Sequence, residues 1–172
     1  MRPGKDLIGK VIISVSDGRN LGTVKDLYLD RNLYLLAGIY LGSEGLFSRK
    51  ANVISREEVV LFGLDVILVK DSAVVAEKDA VENAADWIRL DKLKGRAVDT
   101  DGGTKVGTIG DVYLDDEGRI VSFGLARTYV EGPIAERGAI IREVVVDTGA
   151  EDGAMTIDMA KAERQNPVSN EK

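Results

Sequence analysis

Gly22-Thr23-Val24-Lys25-Asp26-Leu27-Tyr28-Leu29-Asp30 recurs in the second half of the chain as Gly107-Thr108-Ile109-Gly110-Asp111-Val112-Tyr113-Leu114-Asp115. Six of these nine positions are identical and two more exchange one aliphatic residue for another. The match extends outward. Upstream, Gly9-Lys10-Val11 aligns with Gly95-Arg96-Ala97 after one residue of slippage, and downstream Arg56-Glu57 aligns with Arg142-Glu143. A repeat of this length means that each copy is one structural unit, so the architecture is a pair before any single element is assigned. The detectable repeat runs over about 6–70 and 91–158. The organisation read from it is a first domain at 1–72, a linker at 73–90, a second domain at 91–160 and a polar C-terminal tail at 161–172.

Each copy has the pattern of short strands, with β-branched and aromatic residues in short runs bounded by Gly, Asp and Asn. In the first copy, strands are expected at Val11–Val15, Leu21–Asp30, Tyr34–Leu41, Ala51–Ile54 and Asp65–Val69, with a turn at 16–20. Ser55-Arg56-Glu57-Glu58 has the Ser-x-x-Glu form of a capping box, which predicts one short helical turn. The second copy repeats the plan with its own turns, Asp101-Gly102-Gly103 and Asp116-Glu117-Gly118. Short strands joined by tight turns favour a small barrel, because closure removes exposed sheet edges.

The Gly-Lys-Val start, the Asp-Gly turn and, above all, the repeated Gly-Thr-Val-Lys-Asp-Leu-Tyr-Leu-Asp segment resemble the PRC-barrel family. The resemblance covers about four fifths of the chain and implies an all-β fold of two tandem, strongly bent barrels with short helical turns. The family includes the cytoplasmic part of the photosynthetic reaction centre H subunit and the C-terminal half of a ribosome maturation factor. This chain shows neither the membrane helix of the first nor the separate N-terminal domain of the second. The resemblance therefore implies a stand-alone protein that binds other proteins and has no shared catalytic set. Gly22, Asp26, Tyr28, Gly107, Asp111 and Tyr113 are the family-motif positions, with a structural role. Asp26 and Asp111 alternate onto the strand face that carries Tyr28 and Tyr113, so each carboxylate is expected to accept hydrogen bonds from a neighbouring turn.

Composition narrows the chemistry. The chain of 172 residues contains neither His nor Cys. That excludes Ser-His-Asp and Cys-His catalysis, thiol redox chemistry, Cys/His zinc sites and disulfides. Its 29 acidic against 23 basic residues give a net charge of −6, which disfavours nucleic acid as a direct partner. No apolar stretch follows the basic residues at the N-terminus, so a cytoplasmic location is expected. The notable uncharged run 33–43 is too short to span a membrane.

No catalytic, cofactor or metal site is expected. Asp99-Thr100-Asp101-Gly102-Gly103 begins like a calcium loop but places Gly103 and Gly110 where oxygen ligands are required. Asp115-Asp116-Glu117 reads as solvated charge. Loops on a rigid scaffold commonly carry recognition, and the loop after the third strand differs between copies. Its apolar residues, Leu46 and Phe47 in copy one and Tyr129, Pro133 and Ile134 in copy two, are the candidate partner-binding positions. They either anchor a partner or tuck onto their own barrel mouth. Trp87, the one tryptophan, is expected to pack at the junction between the barrels. The motif strand is apolar on both faces, so its outer face should be covered by the sister barrel or by a second chain. Three functions follow as expectations. The first is a protein-interaction adaptor, homo-oligomeric, with an unidentified partner. The others are a ribosome-maturation accessory binding a basic protein, and a small-ligand or metal-binding module.

Overall fold

The computed structural model describes residues 1–43, 50–150 and 153–164. The first part of the chain forms β1 (Arg2–Pro3), β2 (Val11–Ser14), β3 (Asn20–Thr23), β4 (Asp26–Leu29) and β5 (Leu36–Ser43). These are followed by β6 (Ala51–Ser55), β7 (Val59–Phe62), β8 (Val66–Val69), β9 (Ala76–Glu77) and β10 (Ile88–Arg89). The second part consists of α1 (Leu90–Leu93), β11 (Ala97–Thr100), β12 (Lys105–Leu114), β13 (Ile120–Thr128) and α2 (Pro133–Arg137). It ends with β14 (Ala139–Ile141), β15 (Val145–Asp147), β16 (Met155–Ile157) and α3 (Met159–Arg164). The chain is thus all-β, with three short helices and several 3-10 turns among the described residues.

Strand alternation produces the burial that the pattern implies: Ile12 and Ser14 of β2, and Ile67 and Val69 of β8, point inward while their neighbours are partly exposed. β2 and β8 run parallel at the centre of a sheet ordered β3-β2-β8-β7. A second sheet has the order β10-β4-β5-β6-β9. In the other copy, β14-β13-β12-β11-β16-β15 form a single sheet.

The single strand expected over 21–30 is broken at Val24 and Lys25, because the chain passes there from one sheet to the next. Val24 exchanges backbone bonds with Gly9 and Lys10 on one side (2.8 and 2.9 Å), whereas Lys25 N–H donates to Tyr40 O (2.8 Å) on the other. In the second copy Ile109 makes the same pair of bonds with Gly95 and Arg96, but β12 stays continuous and absorbs the bend as bulges around Ile109. Gly110 stands where the first copy has Lys25, and a Cβ there would lie 3.0 Å from Ala126 Cβ. The capping box does not form: a 3-10 turn spans Arg56–Glu58, yet the Ser55 side chain makes no capping bond. Strand β7 directly follows that turn and was not expected.

The two barrels are not beads on a linker. β1 pairs with β12 of the second copy, with Arg2 opposite Leu114 and Pro3 opposite Tyr113, and β10 pairs with β4 of the first, with Ile88 opposite Leu29 and Arg89 opposite Tyr28. Each copy thus lays the arm that precedes it across the motif strand of the other. The 73–90 segment supplies both edges of the first copy's five-stranded sheet, through β9 and β10. The turns are exchanged too. Leu36 N–H donates to Gly118 O and Ile120 N–H to Tyr34 O, both at 2.8 Å. Arg142 donates to Leu33 O and Asn32 O and stacks on the Tyr34 ring at 3.9 Å.

One apolar core therefore runs through both copies and includes Leu7, Leu29, Leu36, Leu90, Leu93, Val112, Leu114 and Ile120. Helix α1 packs on both β4 and β12. All four residues of β4 are buried. Leu27 and Leu29 face the core, whereas Tyr28 lies beneath Trp87, the residue just ahead of β10. Trp87 accordingly rests on the first copy's sheet, over Gly38, where a Cβ would come within 2.8 Å of the indole. No described helix is long and apolar enough to cross a membrane.

Candidate binding surfaces

The motif carboxylates tie each strand to the arm laid across it. Asp26, 4 % exposed, accepts from Arg89 Nε at 2.9 Å, from Asp91 N–H at 3.4 Å and from its neighbour Leu27 N–H at 2.7 Å. Asp111 accepts from Lys5 N–H at 3.2 Å and from Val112 N–H at 2.8 Å. The donors that matter come from the other copy's arm, which is why a carboxylate sits among apolar neighbours. Two residues along from each carboxylate, Tyr28 stands opposite Arg89 and Tyr113 opposite Pro3 in the strand pairing. Burial raises the Tyr28 phenol above its ordinary value, a shift opposed by the nearby Arg89 charge and assisted by Tyr40 and Asp26.

The loop positions chosen from sequence separate. Leu46 and Phe47 lie outside the described residues. Tyr129 is 55 % exposed, and Pro133 stands exposed as the first residue of α2. Ile134 is 1 % exposed and belongs to the core, so its assignment to a docking surface is corrected: it anchors α2 to its own barrel. The physical reason is the short helix α2, which turns Ile134 onto the core while Pro133 stays in solvent. The 161–172 tail is also shortened: residues 161–164 complete α3, with Ala162 buried.

Sequence reading missed two surfaces. One is the outer edge of β7. Among the described residues no strand pairs beyond it, and a bulge between Val59 and Leu61 turns both Val60 (56 % exposed) and Leu61 (53 % exposed) to solvent. The strand borders a groove of about 500 Å³ between the copies, whose far wall is the 115–118 turn. Two cations line this groove. Arg2 is spent on Phe62 O and Gly63 O, whereas Arg56 Nε is buried with no hydrogen-bond partner among the described residues. The acidic turn is organised by Arg119, which pairs with Asp115 at 2.9 Å and with Glu117 at 2.5 Å. Burial tends to raise the Asp115 carboxyl, but the Arg119 and Glu117 amides and the Arg119 guanidinium outweigh it and hold it below the usual range. Strand β7 could have been found from its Val59-Val60-Leu61-Phe62 run; its openness could not.

The second surface is a cleft of about 580 Å³ around Trp87, floored by Tyr28 and rimmed by Arg31, Lys78, Arg89 and Lys92, with Asp86 as the sole acid among its lining residues. Tyr28 and Trp87 pack at 5.8 Å between centroids, and Tyr40 meets Tyr28 edge-on at 5.8 Å. Lys78 Nζ lies 5.6 Å above the Tyr28 ring, and the Arg89 guanidinium lies 4.4 Å from the Tyr40 ring. Such cation–ring contacts keep the aromatic platform ordered.

Neither surface presents a nucleophile aligned with a base, and among the described residues no three acidic side chains converge on a metal position. No curated protein matches the chain. The sequence profile of the PRC-barrel domain matches it twice, over residues 1–81 and 86–159. With nearly the whole chain matched in two successive copies, each built around the same bent motif strand, the protein belongs to the PRC-barrel family as a tandem pair.

Proposed function

We propose that the chain is a non-catalytic adaptor that docks an extended segment of a partner protein along β7. PRC-barrel domains are typically interaction modules, and the observation that carries this reading is the unpaired β7 edge with Val60 and Leu61 exposed side by side. An open apolar edge is a template for strand addition, in which backbone bonds supply affinity and flanking pockets supply specificity. The groove beside it accepts the side chains that alternate inward from the added strand. Its lining carries Glu57, Asp115, Asp116 and Glu117 against Arg2 and Arg56. This surplus of acid favours a basic segment, the kind that a ribosome-maturation accessory would meet on a basic protein. The setting for both is the cytoplasm.

The test places lysine on the edge, where it blocks strand pairing without entering the core. Val60→Lys/Leu61→Lys should keep the melting temperature of the wild type and lose the partner recovered by crosslinking from the native cell. If the doubly substituted protein recovers the same partner with the same yield, the β7 reading fails. Light scattering on both forms separates a partner protein from a second copy of this chain: a wild-type dimer that the lysines dissociate assigns the edge to self-association.

A further inference from the structure

The duplication contains its own control. The arm preceding each copy aligns residue for residue, so Trp87 corresponds to Met1 and Lys92 to Asp6, while the motif-strand register sets Arg31 against Asp116. The structure places Met1, Asp6 and Asp116 around one hollow of the second barrel, just as Trp87, Lys92 and Arg31 surround the cleft on the first. The two hollows share a fold position and differ at these three places, an aromatic and two cations in one against a thioether and two carboxylates in the other, where the cations present, Arg2 and Lys10, are bonded to the backbone carbonyls of Phe62, Gly63 and Leu64. The barrel therefore does not require an aromatic at the Trp87 position or cations at the Arg31 and Lys92 positions. Nor does the overall charge of −6.

Three further observations show that the cleft is constructed. Gly38 is the residue that lets the indole approach β5 this closely, since any Cβ would collide with it. Tyr28 packs against the indole and is itself met edge-on by Tyr40. Arg89, the one cation of the rim held by a carboxylate, is locked by Asp26, whereas Arg31, Lys78 and Lys92 have no carboxylate within ion-pair distance among the described residues. The volume, about 580 Å³, lies in the range of small-molecule sites. A half-buried indole offers stacking to a flat ring, and three cations on one rim focus an anion.

We propose that the Trp87 cleft binds a small ligand that joins a flat aromatic ring to a phosphate, as a nucleoside monophosphate does, with the ring on Trp87 and the phosphate among Arg31, Lys78 and Lys92. This site is independent of the β7 edge. Stacking on one aromatic side chain plus two or three exposed charge contacts sums to an affinity of about 1 mM or somewhat tighter.

The test uses the full chain with adenosine monophosphate, followed by the NMR signal of the single Trp indole N–H. Saturable shifts centred on Trp87, weakened about tenfold by Arg31→Ala/Lys78→Ala and strengthened severalfold by Asp86→Asn, support the site. The gain on removing Asp86 is a change that loss of structure cannot mimic. Inorganic phosphate and adenosine should each bind more weakly than the joined molecule. A tetranucleotide that binds more tightly than the monomer, with the same residue dependence, assigns the ring and phosphate to a nucleic acid strand. An indole signal unmoved by about 10 mM nucleotide, or binding equal in the wild type and the Arg31→Ala/Lys78→Ala protein, overturns the proposal.

Discussion

Leu90→Ala probes whether the two barrels are one folding unit. Leu90 opens α1, is 1 % exposed, and meets Gly4 of the first arm so closely that a Cβ on Gly4 would lie 3.1 Å from its Cδ2. Truncation removes three carbons. At about 0.8 kcal/mol per buried methylene this forfeits roughly 2.4 kcal/mol. A further fraction of a kcal/mol arises because sheets on both sides of α1 cannot collapse into the void, for a total of about 3 kcal/mol. For a protein of this size each kcal/mol moves the midpoint by about 2–4 °C, so calorimetry should record one transition lowered by roughly 6–12 °C. Hydrogen exchange should show protection falling together in β4–β6 and in β12–β13, because α1 packs on both motif strands. Two transitions, one at the wild-type temperature, would refute the exchange of arms as the source of stability.

Arg89→Met withdraws the side-chain donor from the buried Asp26 carboxylate. It should cost about 1.5 kcal/mol, the low end for a charged hydrogen bond because the Arg89 side chain is 36 % exposed. Adding Asp26→Asn should recover part of this loss in a denaturant-melt double-mutant cycle, whereas strict additivity would deny the coupling. The raised Tyr28 phenol makes a signed prediction about pH. The unfolded chain releases that proton first, near pH ~10, so the stability it contributes is full below that value and is lost as pH rises through the higher folded value. Tyr28→Phe should remove this part of the alkaline slope, and tyrosinate absorbance should show that Tyr28 ionises after the more exposed tyrosines. Ile134→Ala should destabilise by about 2–4 kcal/mol in urea, as a buried aliphatic does, whereas Tyr129→Ser should be nearly neutral. Equal effects would place both residues on the same kind of surface.

The repeat, the all-β class and the family were legible in the chain because they rest on local information: residue identity, alternation with period two, and turn residues with positive φ or side-chain oxygens. The motif carboxylates were legible for a similar reason, since an Asp between apolar neighbours requires donors wherever they come from. Which donors come was not. Lys5 and Arg89 reach Asp111 and Asp26 only because each arm crosses to the other copy, and strand pairing between segments far apart in sequence leaves no periodic mark. The same limit hid the break at Val24 and Lys25, the burial of Ile134, and the open edge of β7. Trp87 was assigned to the junction, yet its seat on Gly38 and its cationic rim arise from five separated segments meeting over one sheet. By itself, then, the sequence determined what each copy is made of and how often it repeats. Tertiary structure alone decided that the copies interlock, because partner choice for a strand depends on which edges remain free after local pairing, a property of the assembled sheets rather than of any stretch of chain.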